Sequence, residues 1–148
     1  MAIYKTTNKL TPPIAAYIAG LIDGEGTVTL CRKHKNDNRQ LAVSISSTEK
    51  YLLDYVLEVV GTGKITTKKT VKTHHSPSFT YAIYNRQALS LLEQISPYLQ
   101  TYKKYRSQLI LKDYLRLTPR NGKYSEDLRS AKQEFEFQLL NILPKRAL

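Results

Sequence analysis

Residues 18–26 read IAGLIDGEG, a small and apolar run that ends on two acids, Asp23 and Glu25, each set beside glycine. Upstream, Thr11-Pro12-Pro13 supplies a hydroxyl N-cap and then proline where its missing N–H costs nothing. A helix is therefore expected from about Pro12 to Gly24. Its C-terminus carries partial negative charge, so a carboxylate there is disfavoured by about 0.3–1 kcal/mol. Two readings follow. The acids and the free carbonyls of the last turn offer hard oxygen ligands to a divalent cation, and the glycines permit close approach of a partner or phosphate. Alternatively, Gly24 is a C-cap, Gly26 a bend into a strand, and the acids are solvated. The residues alone leave both open.

The same helix carries Ala15, Ala16, Ala19 and Gly20, small residues paired at i, i+4. Such a face lets another backbone come close. Packing on the chain's own sheet explains one pair; two adjacent pairs beside Leu21 and Ile22 point to a tight helix–helix contact.

After Gly26 the period changes to two. In residues 27–35, TVTLCRKHK, Val28 and Leu30 share one face, with Thr29, Cys31, Lys33 and Lys35 on the other. Residues 35–38, KNDN, make a turn, and residues 39–46, RQLAVSIS, alternate again. This is a hairpin with one apolar and one polar face. Ser47 or Thr48 then caps a helix that closes at Gly61. Residues 63–70 and 78–85 make a second hairpin, with Phe79, Tyr81 and Ile83 on its apolar face and an exposed connector at 71–77. Helices follow at about 86–95, 103–117 and 126–142, the last capped by Ser125 and lined by Leu128, Ala131, Phe135, Leu139 and Ile142. Duplicated αββ units predict an α+β domain whose four-stranded antiparallel sheet is backed by helices.

The polar face of that sheet would carry Thr27, Thr29, Cys31, Lys33 and Lys35 from the first strand and Gln40, Ala42, Ser44 and Ser46 from the second. Lys64, Thr66 and Lys68 follow from the third, and Ser78, Thr80, Ala82 and Tyr84 from the fourth. Hydroxyls and amides can read base edges, lysines can contact phosphates, and a two-stranded ribbon fits the major groove. Composition points the same way: 23 Lys and Arg stand against 12 Asp and Glu, a net charge of +11. Such an excess fits a polyanionic partner, usually nucleic acid. The one cysteine excludes an internal disulfide and a cysteine-rich zinc site. No apolar run approaches the ~20 residues that span a bilayer, so no membrane partner is expected. The N-terminus lacks a signal-peptide apolar region, and the expected location is intracellular, in a prokaryotic cytoplasm or an organelle such as a chloroplast or mitochondrion.

Residues 18–26 resemble the LAGLIDADG motif of homing endonucleases, and the αββαββα order fits that family over nearly the whole chain. Glu25 stands where the motif's name has its second Asp, and Gly24 replaces Ala; both are familiar variants. The resemblance implies the homing-endonuclease fold, with a saddle-shaped sheet, in one domain over residues 1–148. It implies that Glu25 and the carbonyl at Gly24 bind the catalytic divalent ion, Mg²⁺, with Mn²⁺ or Ca²⁺ able to substitute in binding. A polar residue opening the second αββ unit, Glu49 or its neighbour Thr48, positions the attacking water. A basic residue after the PYL turn, Lys103 or its neighbour Lys104, stabilises charge near the scissile phosphate.

The resemblance also places the motif helix at the interface of two like domains, through Ala15, Ala16, Ala19 and Gly20, with Asp23 as a structural helix-end partner there. One motif per chain then requires a homodimer, and a near-palindromic double-stranded DNA site of about two helical turns. It implies cleavage that leaves short 3′ overhangs. Competing readings are an RNA-splicing maturase of the same family, with RNA as partner, or a non-cleaving DNA-binding protein. A basic ribosome-associated protein would leave the acidic helix end unexplained. His34, His74 and His75 lack metal-ligand spacing and are expected to be exposed. Tyr98, Tyr102 and Tyr105 stand near the proposed lysine.

Overall fold

The structure, a computed structural model, describes residues 6–68 and 77–145. Its elements run α1 (Pro12–Glu25), β1 (Gly26–Cys31), β2 (Gln40–Ser47), α2 (Lys50–Val60), β3 (Lys64–Lys68) and β4 (Ser78–Tyr84). There follow α3 (Asn85–Ile95), a 3-10 turn at Ser96–Tyr98, α4 (Tyr102–Asp113) and α5 (Glu126–Leu140). The four strands form one antiparallel sheet in the order β1-β2-β4-β3, so the second strand of each hairpin lies inside.

Alternation sorts the two faces as the sequence reading expects. Val28, Val43 and Ile83 stand abreast across three strands and are buried, as are Leu30 and Leu41. Ile18 and Ile22 of α1, Leu53 and Val56 of α2, and Leu91, Leu92 and Ile95 of α3 close over that face. The opposite face carries Thr27, Ser44, Ala82 and Lys64 in one row across all four strands.

Gly26, where α1 passes into β1, allows a contact that no other residue could. A Cβ there would lie 2.7 Å from the Ile22 Cα and 2.8 Å from the Ser44 carbonyl oxygen, both backbone atoms that cannot yield. Gly61 closes α2 in the left-handed region, at φ 82°, as its sequence position predicts.

Several boundaries differ from expectation. β1 stops at Cys31, so Lys33 and Lys35 lie in an exposed loop and not on the strand. The turn-forming Asn36-Asp37-Asn38 breaks the ladder, with the Asp37 N–H donating to the His34 carbonyl. Arg39 then anchors the loop's end: its guanidinium donates to the Leu30 carbonyl at 3.4 Å and its backbone N–H to Glu136 Oε1 at 3.2 Å. β1 is an edge strand, and Arg106 of α4 covers a second edge carbonyl, that of Val28, at 3.0 Å. These guanidiniums occupy acceptors that would otherwise invite another strand. Glu49 is the N-cap of α2 in place of Ser47 or Thr48, because Ser47 Oγ instead accepts the Glu49 N–H at 3.0 Å. α4 ends at Asp113, four residues early, and α5 at Leu140, two early.

Candidate active site and nucleic-acid face

The acids at the end of α1 have different surroundings. Asp23 lies beside the start of α4. Its Oδ2 accepts the Gln100 N–H at 2.8 Å, and its Oδ1 accepts the Thr101 N–H at 3.1 Å and the Thr101 hydroxyl at 2.6 Å. A carboxylate misplaced on its own helix thus satisfies donors at another helix's positive end. Asp23 is a helix-end partner within the protomer, linking α1 to α4.

Lys103 makes the reciprocal connection. From the first turn of α4 its ammonium donates to the carbonyls of Ile22, at 2.7 Å, and Asp23, at 3.0 Å. It is 7% exposed. Burial holds its pKa below the ordinary lysine value, while Asp23 and Glu25 pull the other way. Two of its three N–H donors are therefore committed to the end of α1, where the sequence reading expected a cation free to meet phosphate. Lys104 is half-buried and makes no side-chain hydrogen bond or ion pair among the described residues. The Tyr102 ring lies 5.8 Å from Lys103 Nζ and 5.2 Å from the Arg106 guanidinium, whereas Tyr98 and Tyr105 face outward.

Glu25, by contrast, is exposed, and its carboxylate has no hydrogen bond or ion pair among the described residues. Gly24 is also exposed, with open space where a side chain would project. It is the penultimate residue of α1, so its carbonyl has no amide four residues on within the helix. A free carboxylate beside a free carbonyl suits a hard divalent ion. Among the described residues no three His, Cys, Asp or Glu gather into a metal-binding group. The register Gly26↔Ile45 brings β2 out of the sheet beside the end of α1, so the exposed Glu49 follows at the same end.

The small residues of α1 divide between two faces. Ala15 and Ala19 are buried in the protomer's own core, at 3% and 0%, and cannot meet a partner. Ala16, Gly20 and Gly24 are exposed and run down the outer side at i, i+4, i+8. The helical step of 100° per residue separates the pairs that the sequence reading had grouped.

On the sheet's polar face, Thr27, Ser46, Lys64, Thr66 and Tyr84 are exposed, and Thr29, Cys31, Gln40, Ser44, Ser78 and Thr80 are half-buried. Ser46 Oγ and Thr80 Oγ1 lie 2.9 Å apart across β2 and β4. Ala42 and Ala82 are buried floor positions, at 8% and 9%, with no side chain to reach a base edge. Lys68 ends β3 opposite Ser78. His34 is exposed in the loop after β1, and His74 and His75 lie outside the described residues. Three buried charged side chains besides Lys103 had no sequence signal beyond their type: Arg106, Lys132 and Glu136.

No helix among the described residues is long and apolar enough to cross a membrane. The fold recurs in solved structures of low sequence identity. The homing endonuclease I-CvuI in complex with its target, in the presence of calcium, matches 93% of this chain and 87% of its own, at 15% identity and a TM-score of 0.72. The same enzyme with the I-CreI target and magnesium gives a TM-score of 0.70, at 15% identity, over 92% and 85% of the two chains. The archaeal intron-encoded homing endonuclease I-Vdi141I, complexed with DNA, gives 0.57, also at 15%, over 90% and 86%. The model of the LAGLIDADG-like domain matches residues 12–105, from the first helix through the start of α4. A match over that much of the sequence, beginning on the helix that ends in Asp23 and Glu25, establishes that the chain belongs to the LAGLIDADG-like domain family.

Proposed function

We propose that this protein is a homodimeric, divalent-metal-dependent endonuclease that cuts a long, near-palindromic double-stranded DNA site. The observation that carries the reading is Glu25: it stays exposed and without a partner among the described residues, at a helix end whose other acid, Asp23, accepts three hydrogen bonds. The family, and the DNA-bound structures of the same fold determined in the presence of calcium or magnesium, support it.

Glu25 and the Gly24 carbonyl hold the ion, Mg²⁺ in function, with Mn²⁺ or Ca²⁺ able to take its place in binding. When bound, the ion supplies Lewis-acid activation of water and neutralises charge at the scissile phosphate. Glu49 orients the attacking water as an acceptor. Lys103 fixes the last turn of α1, and its third N–H remains to stabilise negative charge building on the phosphate. Hydroxyls and amides of the sheet face read base edges, while Lys64 and the loop lysines Lys33 and Lys35 meet phosphates. The exposed stripe of Ala16, Gly20 and Gly24 brings two protomers together, so two copies of Glu25 meet at the axis of one DNA site. The cuts leave short 3′ overhangs. The 148 residues act as one domain, inside the cell.

Cleaved sites are selected from a randomised duplex library with Mg²⁺, and the recovered site is then offered to Glu25→Gln. The expected result is that the variant binds but does not cut. Cleavage by the variant at the wild-type rate would refute the metal assignment. Binding without cutting by the wild type would favour a DNA-binding protein that has lost catalysis.

A further inference from the structure

At the end of the sheet away from Glu25, a cleft of about 470 Å³ opens between the start of α3 and the turn after α4. Tyr84, the last residue of β4, lies opposite Ala42 on the polar face and forms one lip. The next wall is tied to that face. Asn85 Nδ2 donates to Gln40 Oε1 at 3.2 Å, and the Tyr114 hydroxyl donates to Asn85 Oδ1 at 3.0 Å. The cleft is thus continuous with the surface that carries Gln40 and Tyr84.

Its charge is of one sign. Arg86 and Arg120 line it, and none of the described residues that line it is acidic. Arg86 Nη2 reaches the Thr118 carbonyl at 3.4 Å, a long bond that leaves most of the guanidinium's donors uncommitted. Behind the wall lies Lys132, 1% exposed. Its ammonium donates to Thr118 Oγ1 at 2.6 Å and sits 4.6 Å from the centre of the Tyr114 ring. No carboxylate lies within ion-pair distance of it among the described residues. Glu136, the acid on the same helix that acts on it, is engaged by Arg39. A buried ammonium without a contacting counter-ion is expensive, and its field acts through low-dielectric protein. An anion in the cleft would supply the missing negative charge.

We infer that this cleft grips a phosphodiester of the DNA backbone, on the flank beyond the bases that the sheet covers. This rests on the duplex-binding reading above. β1 is six residues long, about 20 Å, and so spans only about six base pairs per protomer. The cleft lies just past that reach, on the side opposite the catalytic end. Arg86 and Arg120 each neutralise a phosphate, and Lys132 adds fixed positive charge from behind. A free phosphate offers the same chemistry; continuity with the sheet face favours the duplex.

The test measures the salt dependence of binding to one duplex of fixed length. Each neutralised phosphate contributes about 0.9 to the slope of log K against log [salt]. With two arginines on each of two protomers, the double variant Arg86→Gln, Arg120→Gln is expected to lower the slope by about 3.6, and Arg86→Lys, Arg120→Lys to restore it, which a merely structural role would not do. An unchanged slope in the glutamine variant overturns the proposal, as does a loss that lysine fails to repair. If the slope is unchanged while inorganic phosphate raises the melting temperature of the wild type but not of the glutamine variant, the cleft belongs to a free anion. If the wild type binds no duplex at all, the underlying reading falls, an outcome distinct from failure of the cleft alone.

Discussion

Asp23 and Lys103 each neutralise the helix end to which the other belongs. Asp23 closes α1 yet accepts from the first amides of α4, and Lys103 opens α4 yet donates to the last carbonyls of α1. On its own helix each charge is misplaced by about 0.3–1 kcal/mol; exchanged, each is favourable. The side chains make no direct ion pair within 4.0 Å, so backbone groups mediate the coupling. The result is a rigid joint immediately before Glu25.

Asp23→Ala is expected to cost about 2–4 kcal/mol of stability, because it leaves donors at the start of α4 without their charged acceptor. Lys103→Met is expected to cost about 1–3 kcal/mol for the same reason at α1. The double variant should lose less than the sum of the two, since both act on one joint. Urea unfolding of the three variants measures this; strict additivity would mean that the two links are independent.

Glu25→Gln should leave stability within about 0.5 kcal/mol of wild type, because the side chain is exposed and makes no hydrogen bond or ion pair among the described residues. Cleavage should be lost while duplex binding persists. Parallel thermal melts, nicking assays and gel shifts separate a lost ligand from a damaged fold.

Gly20→Leu tests the outer face of α1. A Cβ at Gly20 would meet nothing within 4 Å, so the protomer should accept it and gain up to about 0.8 kcal/mol in helix propensity. The larger side chain should hold two helices apart. Sedimentation is expected to show a dimer for the wild type and a folded monomer for the variant.

Gly26→Ala is expected to destabilise by more than about 2 kcal/mol, since its Cβ would collide with backbone at Ile22 and Ser44. The same change at Gly24, where the space is open, should be nearly neutral for folding. Denaturant midpoints of the two variants give the comparison.

Stability should rise with pH between about 8 and 10. Burial lowers the Lys132 pKa to about 8, so above that value the folded chain releases a proton that the unfolded chain still binds. Tyr81 and Tyr114, both raised by burial, reverse the trend above about pH 10, where unfolded tyrosines ionise first. Lys132→Met should remove most of the rise, leaving the part due to Lys103, whose pKa burial also lowers, and add about 1–3 kcal/mol at pH 7. Urea titrations at pH 7, 8.5 and 9.5 follow both effects.

The candidate metal acid is legible at residues 18–26 mainly through the family motif those residues resemble, because acids at a helix end by themselves fit solvent as well as a metal ion. Glu25 stands exposed where that reading put it. Lys103 was picked out by its place after the PYL turn, but its burial against Ile22 and Asp23 was not visible, since those carbonyls lie some 80 positions away. Lys132 was hidden in the amphipathic pattern of α5, where one lysine beside the apolar stripe reads as a solvated charge. Lys33 and Lys35 lie on a loop and not on β1, because the alternation in the sequence continues past the point where the ladder stops.

The order of helices and strands, the sidedness of the sheet, the cap at Gly61 and the acidic end of the first helix were set by the sequence itself. Each follows from periodicity, φ preference or charge within a few residues, interactions the chain carries wherever it goes. Which small residues of α1 turn inward, where β1 ends, what Asp23 caps and why a lysine lies buried behind Thr118 were decided only by the tertiary structure. These depend on donors, acceptors and surfaces from distant segments, and their energies exist only once folding has brought those segments within bonding distance.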